Sequence, residues 1–530
     1  MEIQNWNLRI ITEKNDILLK YSVLVFIIIT LDTIPRDNLL KKLLNKGIDG
    51  KFFNIIKNIY TNDKICIKQE NKITDHFEVN LGVKQGCILS PLLFNIYLSD
   101  LAEILDNDIQ NRTHPYPNTI FWADDIAIFS ESEKGLQEKL EALEKYCKEN
   151  ELTLNTDKTK CMIFNKTGRL IRTPFYYNKT KLENVKQFKY LGFLLTTSGK
   201  TKAGIKDLKD RALKAFFKLK NALGESFRDQ IKITLRLFDA LVKPIMMYMS
   251  DFWGGIKPLN EKDNPIEKLH ILACKHILGV QKQTTNMGVL LEIGRIPMQT
   301  FAVKAAIKNW ERIKQGKIGE ILKNNYNHAV NEKPPWLTGI ETTLESHNME
   351  RHLNNQTKTK HPFIHKLIFK EQCDIFHRNA FETINAPESK LRTYALMKTE
   401  VGCEKYLHTI RSTTLRQTLT KFRLSNHILN IEKGRHTTPM TPKEIRFCPF
   451  CPTQVEDEEH FILKCPTYKH ERKKLQDIDP AKNTLNATET TNKERFVKLM
   501  TNENTIIIAK YIHNSMEIRN FLIQNPKRAS

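Results

Sequence analysis

Along the first two hundred residues the apolar positions keep changing their period. Residues 23–29 (VLVFIII) form a continuous apolar run, which predicts a buried strand and falls far short of the roughly 20 residues that span a bilayer. After Pro35, NLLKKLLNKGIDGKFFNIIKNIY sets Leu39, Leu40, Leu43, Leu44, Phe52, Ile55, Ile56 and Ile59 near helical spacing, and Gly47 and Gly50 divide the run into two helices. KICIKQ and HFEVNLGV predict hairpin strands. LSPLLFNIYLSDLAEIL predicts one long apolar helix with Pro91 in its first turn, where proline is tolerated. FWADDIAIFS, residues 121–130, predicts a strand. GLQEKLEALEKYCKENEL predicts a surface helix with Leu136, Leu140, Leu143 and Leu152 on one face. KTKCMIF is a further strand, and FKYLGFLL begins a hairpin closed by Thr197, Ser198 and Gly199.

Beyond Lys200 the pattern becomes almost purely helical. Residues 207–223, 231–249, 264–278 and 299–315 are each amphipathic. Residues 323–360, rich in Asn, Lys, Glu and His and carrying Pro334 and Pro335, predict a loose connector. Helices resume near Phe363 and run to about Ile431, and the polar stretch 477–493 predicts poor order.

At 530 residues the chain exceeds what one compact core usually holds. Its 83 Lys+Arg against 60 Asp+Glu give a net charge of +23, which points to a polyanionic partner, nucleic acid being the usual one. Seven of the ten cysteines are scattered and three cluster at Cys448, Cys451 and Cys465. That is not a secreted disulfide framework, so a reducing, intracellular setting (nucleus or cytoplasm) is expected, with no membrane segment and no signal peptide.

Within FWADDIAIFS, Asp124 and Asp125 interrupt an otherwise apolar strand. Buried carboxylates without a counter-charge are costly. A hairpin turn centred on the pair lets one or both reach a common ion, and hard oxygen ligands beside nucleotide phosphates suit Mg²⁺ (or Mn²⁺).

FWADD resembles the F-x-A-D-D catalytic hairpin of reverse transcriptases from non-LTR (LINE-type) retrotransposons. GVKQGCILSPLLFNIYLSDL, residues 82–101, resembles the glycine loop and helix that cradle template and incoming nucleotide in that family. Gly82 and Gly86 permit close backbone approach, and Gln85 and Ser90 offer polar contacts beside a helix N-terminus. LNTDKTK resembles the motif whose lysine lies near the departing pyrophosphate, here Lys158, and FKYLGF resembles the hairpin that grips the primer end. In that family the strand before the glycine loop reads roughly F-x-D-x-x-x-A-F-D. TLDTIPRDNLL, residues 30–40, matches its second half and fixes Asp32 as the later, non-catalytic acid. Counting back, Phe26 stands where the first catalytic aspartate belongs, and Leu31 where an aromatic screens against ribose 2′-hydroxyls. The upstream fingers and endonuclease have no match, so the resemblance implies an amino-terminally truncated copy.

CPFCPTQVEDEEHFILKCP, residues 448–466, offers three thiolates (Cys448, Cys451, Cys465) and one imidazole (His460), the donor set of a closed tetrahedral zinc site. It resembles the CCHC module that follows the polymerase in many such elements, including the upstream RLSNHILNIEKGR, and Arg446, Lys464, Lys469, Arg472 and Lys473 around it suggest contact with nucleic acid. KAFFKLK, with Lys214, Lys218 and Lys220, resembles thumb sequence that follows a template–primer backbone.

These readings predict an α+β right-hand polymerase palm with remnant fingers, followed by a mostly α-helical thumb and connector and a small zinc-binding module. The expected divisions are an unmatched amino end (1–22), palm (23–200), thumb (201–320), connector (321–440), CCHC module (441–475) and a polar linker with terminal helix (476–530). The expected function is Mg²⁺-dependent RNA-directed DNA polymerase activity, extending a DNA primer on an RNA template with deoxynucleoside triphosphates. The alternative is a catalytically dead nucleic-acid-binding remnant, because of Phe26.

Overall fold

The computed structural model describes residues 23–28, 31–61, 63–70, 72–105, 119–256, 263–317, 323, 326–327, 330–331, 333–353, 363–479 and 491–525. The amino end 1–22, residues 29–30 and most of the polar stretch 477–493 fall outside them. The chain forms two compact units: Met1–Asp207 with Met249–Lys257 and Ala306–Lys358, and Leu208–Tyr248 with Pro258–Ala305 and Thr359–Ser530.

The first unit is built on a five-stranded sheet. Its strands are β1 (Val23–Ile28), β2 (Thr119–Trp122), β3 (Asp125–Ser130), β4 (Lys160–Ile163) and β5 (Glu183–Asn184), in the order β5-β4-β1-β3-β2. β1 runs antiparallel to both neighbours, pairing Ile28 with Asp125, and Phe26 with Ala127 on one side and Lys160 on the other. A central strand buried on both faces needs no polar alternation, which explains VLVFIII. Helices α1 (Arg36–Asn45), α2 (Gly50–Tyr60), α3 (Ser90–Tyr97) and α4 (Glu133–Glu149) cover one face. There Val25 and Ile27 of β1 and Ile126 and Ile128 of β3 share a core with Leu43, Phe94, Leu136, Leu140 and Leu143. Ser132 caps α4 by accepting from the Gly135 amide.

Three local readings are corrected. The apolar helix breaks after Tyr97 and resumes at Leu101–Leu105, because Asp100 turns aside to bind Lys42 at 2.9 Å and accept from the Tyr146 hydroxyl at 2.7 Å. The hairpin of β6 (Gln187–Tyr190) and β7 (Phe193–Thr196) closes at Leu191–Gly192 rather than Thr197–Gly199. Both turn residues take positive φ, 45° and 80°, as a two-residue turn matched to strand twist requires. The loose connector holds a helix, Pro335–Ser346, with Trp336, Leu337, Ile340 and Leu344 buried along one side. The proline pair starts that helix rather than breaking structure.

In the second unit the expected helices appear as Pro265–Leu278, Ile364–Asn385 and Thr413–Arg423. The amphipathic run 231–249 is helical from Ile231 to Met246, with a π turn over Phe238–Val242 just before Pro244. NMGVLLEIGRIP is packing, as its composition suggests, but with one acid in it. Glu292 is buried and accepts hydrogen bonds from Arg423 (2.8 Å) and Tyr406.

Candidate active site and metal centre

The acid pair sits at the tip of the β2–β3 hairpin. Trp122 pairs with Asp125, leaving Ala123 and Asp124 as a two-residue turn, with Ala123 at φ 51°. A side-chain-bearing residue held in left-handed backbone stores strain of order 1 kcal/mol, a feature that clusters at functional sites. Both carboxylates are half-buried. Burial first, and then the charge of Asp124, push the Asp125 carboxyl above its usual range, and no positive group among the described residues offsets them. Two adjacent carboxylates with no counter-charge among the described residues fit a divalent cation.

Strand alternation places Asp125, Ala127 and Phe26 on the sheet face away from the helices. Phe26 is 1% exposed. Its ring stacks on Phe188 at 4.1 Å between centroids and 16° between planes, and lies 5.1 Å from the ring of Tyr190. Both partners come from β6. The Tyr190 hydroxyl is buried without a hydrogen-bond partner, and burial, then the nearby Asp125 charge, raise its pKa. On this face, Phe26, Phe188 and Tyr190 form an aromatic cluster.

The glycine loop is anchored to the turn after β1. Gly82 takes φ +76°, and a Cβ there would come within 2.8 Å of the Asp32 backbone. Its amide donates to Ile34 O at 2.8 Å. Arg36, buried, donates to Gly82 O and to the carbonyls of Tyr60 and Val79 while pairing with Asp63 at 3.1 Å. Lys84 binds the same Asp63 at 2.9 Å, and these partners hold its carboxyl below the usual range. Gln85 is exposed and donates to Asp32 at 3.0 Å, while Gly86 takes φ +79° with open space where a side chain would be. Ser90 is buried, its hydroxyl donating to Lys84 O at 2.6 Å. Lys158 is exposed in the turn before β4, its amide bonded to Asn155. Leu31 lies in the short turn Leu31–Thr33.

The second cluster is geometrically closed. One donor atom from each of Cys448, Cys451, His460 and Cys465 lies within 4.8 Å of all the others. Cys465 Sγ is 4.0 Å from Cys448 Sγ and 3.8 Å from Cys451 Sγ, close to the edge of a tetrahedron built on Zn–S bonds of about 2.3 Å. Both ring nitrogens of His460 are buried and have no hydrogen-bond partner. An imidazole buried with neither nitrogen satisfied is costly unless a metal takes one of them. A hydrogen bond from Cys448 pulls the Cys465 thiol below its usual range. The residues fit zinc.

Buried ion pairs brace this centre. Arg519 of the terminal helix Thr505–Gln524 grips Glu456 with two bonds of 2.6 Å. Glu458 accepts from Arg392 at 2.7 Å and faces His427 at 3.0 Å. Tyr511 donates to Phe461 O at 2.9 Å. Two of the basic residues expected to touch nucleic acid serve the fold instead: Arg446 donates to Ile431 O, and Arg472 to Ile462 O and Cys465 O. Lys464 pairs with Glu459, while Lys469 and Lys473 are exposed. The Glu–Arg pairs escaped sequence reading because their partners lie up to 131 positions apart.

A family model described as reverse transcriptase (RNA-dependent DNA polymerase) matches residues 30–195. This segment is a reverse transcriptase domain. Among similar proteins are the retrovirus-related Pol polyprotein from type-2 retrotransposable element R2DM of Drosophila melanogaster, 26% identical over 182 residues (32% of this chain, 17% of that protein), and the RNA-directed DNA polymerase from mobile element jockey of Drosophila funebris, 22% identical over 214 residues (39% of this chain, 23% of that protein). The chain thus spans about a quarter or less of the length of these relatives. A telomerase structure from Candida albicans aligns over 60% of this chain and 51% of that one at 13% identity and a TM-score of 0.29, too low to carry any argument. Both the acid hairpin and the glycine loop lie inside the reverse transcriptase domain, and the Cys/His cluster lies well beyond it. No helix among the described residues is long and apolar enough to cross a membrane.

Proposed function

We propose that this chain binds an RNA template and a DNA primer in its reverse transcriptase palm, inside the cell, and that RNA-directed DNA polymerisation is the activity its parts are arranged for. The observation that carries this is the strained hairpin tip presenting Asp124 and Asp125 together, with no counter-charge among the described residues. The two carboxylates would hold Mg²⁺ (or Mn²⁺), which when bound stabilises charge on the attacking and leaving oxygens of nucleotidyl transfer. Gly86 leaves room for a nucleotide, Gln85 and Leu31 would meet it as the resemblance implies, and exposed Lys158 would meet the departing phosphates. Ser90 supports the loop from beneath. The Cys448, Cys451, His460 and Cys465 cluster would take zinc and hold the carboxy-terminal unit in shape for nucleic acid.

A second reading, nucleic-acid binding without extension, is favoured by one observation. Phe26 fills the place of the third acid and is locked there by Phe188 and Tyr190. Two acids alone leave a two-metal site without its bridging ligand, and charge stabilisation is the main catalytic term in such transfer. We assign the first reading to ancestry and architecture and the second to the chain's present behaviour. Binding of a labelled template–primer, measured alongside primer extension in Mg²⁺, separates them: binding without extension supports the second, and extension abolished by Asp124→Ala supports the first.

A further inference from the structure

In the second unit, phenylalanine and lysine side chains pair three times over in one band. The Lys243 ammonium lies 3.5 Å from the centre of the Phe301 ring, the Lys304 ammonium 4.0 Å from that of Phe369, and the Lys366 ammonium 4.0 Å from that of Phe363. Phe301 and Phe369 join two of the pairs, with 5.3 Å between ring centres and 53° between planes. The parts come from three stretches of chain. Lys243 directly follows the π turn Phe238–Val242, a feature frequent at functional sites. Phe301 and Lys304 sit one turn apart on the helix Met298–Lys314, and Phe363, Lys366 and Phe369 open the helix Ile364–Asn385.

The band reaches solvent and carries unneutralised charge. Phe363 is 49% exposed, Lys366 and Lys370 are exposed, and Lys243, Phe301, Lys304 and Phe369 are half-buried. Among the described residues no carboxylate lies within ion-pair distance of Lys243, Lys304, Lys366 or Lys370, Glu371 and Asp374 of the same helix included. Asp239, whose charge acts on Lys243, is gripped by Arg295 with bonds of 2.5 and 3.2 Å. Burial holds the Lys243 ammonium below its usual range; Asp239 offsets part of that, and Arg295 and Lys304 add to it. An anion placed among these lysines would relieve their mutual repulsion.

The rings narrow the choice of anion. A cation–π contact near the surface is weak, so a lysine can leave its ring for a stronger partner. A strand with unpaired bases supplies two partners at once, a phosphate for the ammonium and a flat base for the vacated ring face. An acidic peptide supplies only the first, and a duplex keeps its base faces hidden. We propose that this band binds a single-stranded nucleic acid, with phosphates on Lys304, Lys366 and Lys370 and bases stacked on Phe363 and Phe369. The site rests on the reading that the chain binds nucleic acid, but shares no residue with the acid hairpin or the Cys/His cluster.

The test uses the full chain with short labelled oligouridylate, oligothymidylate and a duplex of similar length, followed by fluorescence anisotropy. Phe363→Leu and Phe369→Leu keep apolar bulk but remove the ring, and each should weaken both single strands about tenfold while leaving the duplex unchanged. Lys366→Gln and Lys370→Gln, exposed substitutions that spare the fold, should each lower the slope of log affinity against log salt by roughly 0.7 for single strands. Photo-crosslinks from an iodinated uracil should map to Phe363 or Phe369. Equal weakening of the duplex would mean that the rings only shape the fold, and would overturn the proposal. Unchanged single-strand affinity in Phe363→Leu and Lys366→Gln, or crosslinks confined to other peptides, would overturn it while leaving nucleic-acid binding intact. Failure of every probe to bind the unaltered chain would overturn the functional reading as well.

Discussion

The acid hairpin and the Cys/His cluster are both candidate metal sites, and they differ in completeness. At the cluster all four donors converge, His460 has both nitrogens waiting, and buried Glu–Arg pairs fix the surrounding helices. At the hairpin only two carboxylates adjoin, and the same sheet face carries the Phe26 ring in an aromatic stack. A structural metal site is all or nothing, because its ligands make the fold. A catalytic one can lose a ligand while its scaffold survives, provided an apolar residue fills the space. In the proposed reading Phe26 is such a residue, packed against Phe188 and Tyr190.

The comparison predicts its largest effect at the cluster. Metal binding by small zinc modules supplies about 10–16 kcal/mol, so Cys451→Ser should release one metal per chain, measured by elemental analysis, and melt the carboxy-terminal unit. Retained metal, or an unchanged melt, would show that the cluster is not structural. Next comes Phe26→Ala, expected to cost about 3–5 kcal/mol in denaturant titration, as for other buried aromatic truncations; a cost near zero would mean the aromatic cluster is not packed. Replacing Glu456 by Ala strands the Arg519 guanidinium and should cost about 3 kcal/mol. Smaller again is a pH effect. Burial raises the Glu458 carboxyl, but His427 and then Arg392 outweigh it and bring it to about 2 from an ordinary 4.5. Its contribution is therefore complete above about 4.5 and lost as pH falls toward 2, so acid should weaken the second unit through that window, an effect absent in Glu458→Gln. The smallest is Asp124→Ala, which relieves like-charge repulsion and should leave stability within about 0.5 kcal/mol while removing Mg²⁺ binding measured by calorimetry.

The sequence was most legible where chemistry is local in the chain. The acid pair, the glycine loop and the four zinc ligands each sit within twenty residues, and the strand and helix periods around Val25, Leu140 and Leu208 translate directly into burial. What escaped was long-range. Nothing near Asp100 announced that Lys42 and Tyr146 would break its helix, and nothing near Arg446 or Arg472 that backbone carbonyls would claim them. The proline pair before Trp336 carried two meanings, breaker and helix start, and only packing of the Trp336 side chain decides between them. Phe26 could be placed by counting from Asp32, but its stacking on Phe188 depends on a hairpin more than 160 positions away.

The central proposal is that Phe26 fills the place of a third catalytic acid beside the Asp124–Asp125 hairpin. Primer extension on an RNA template in Mg²⁺ by the unaltered chain tests it most directly. The account predicts a bound template–primer and no product beyond the Asp124→Ala background. Product formed by the unaltered chain and abolished by Asp124→Ala would contradict it.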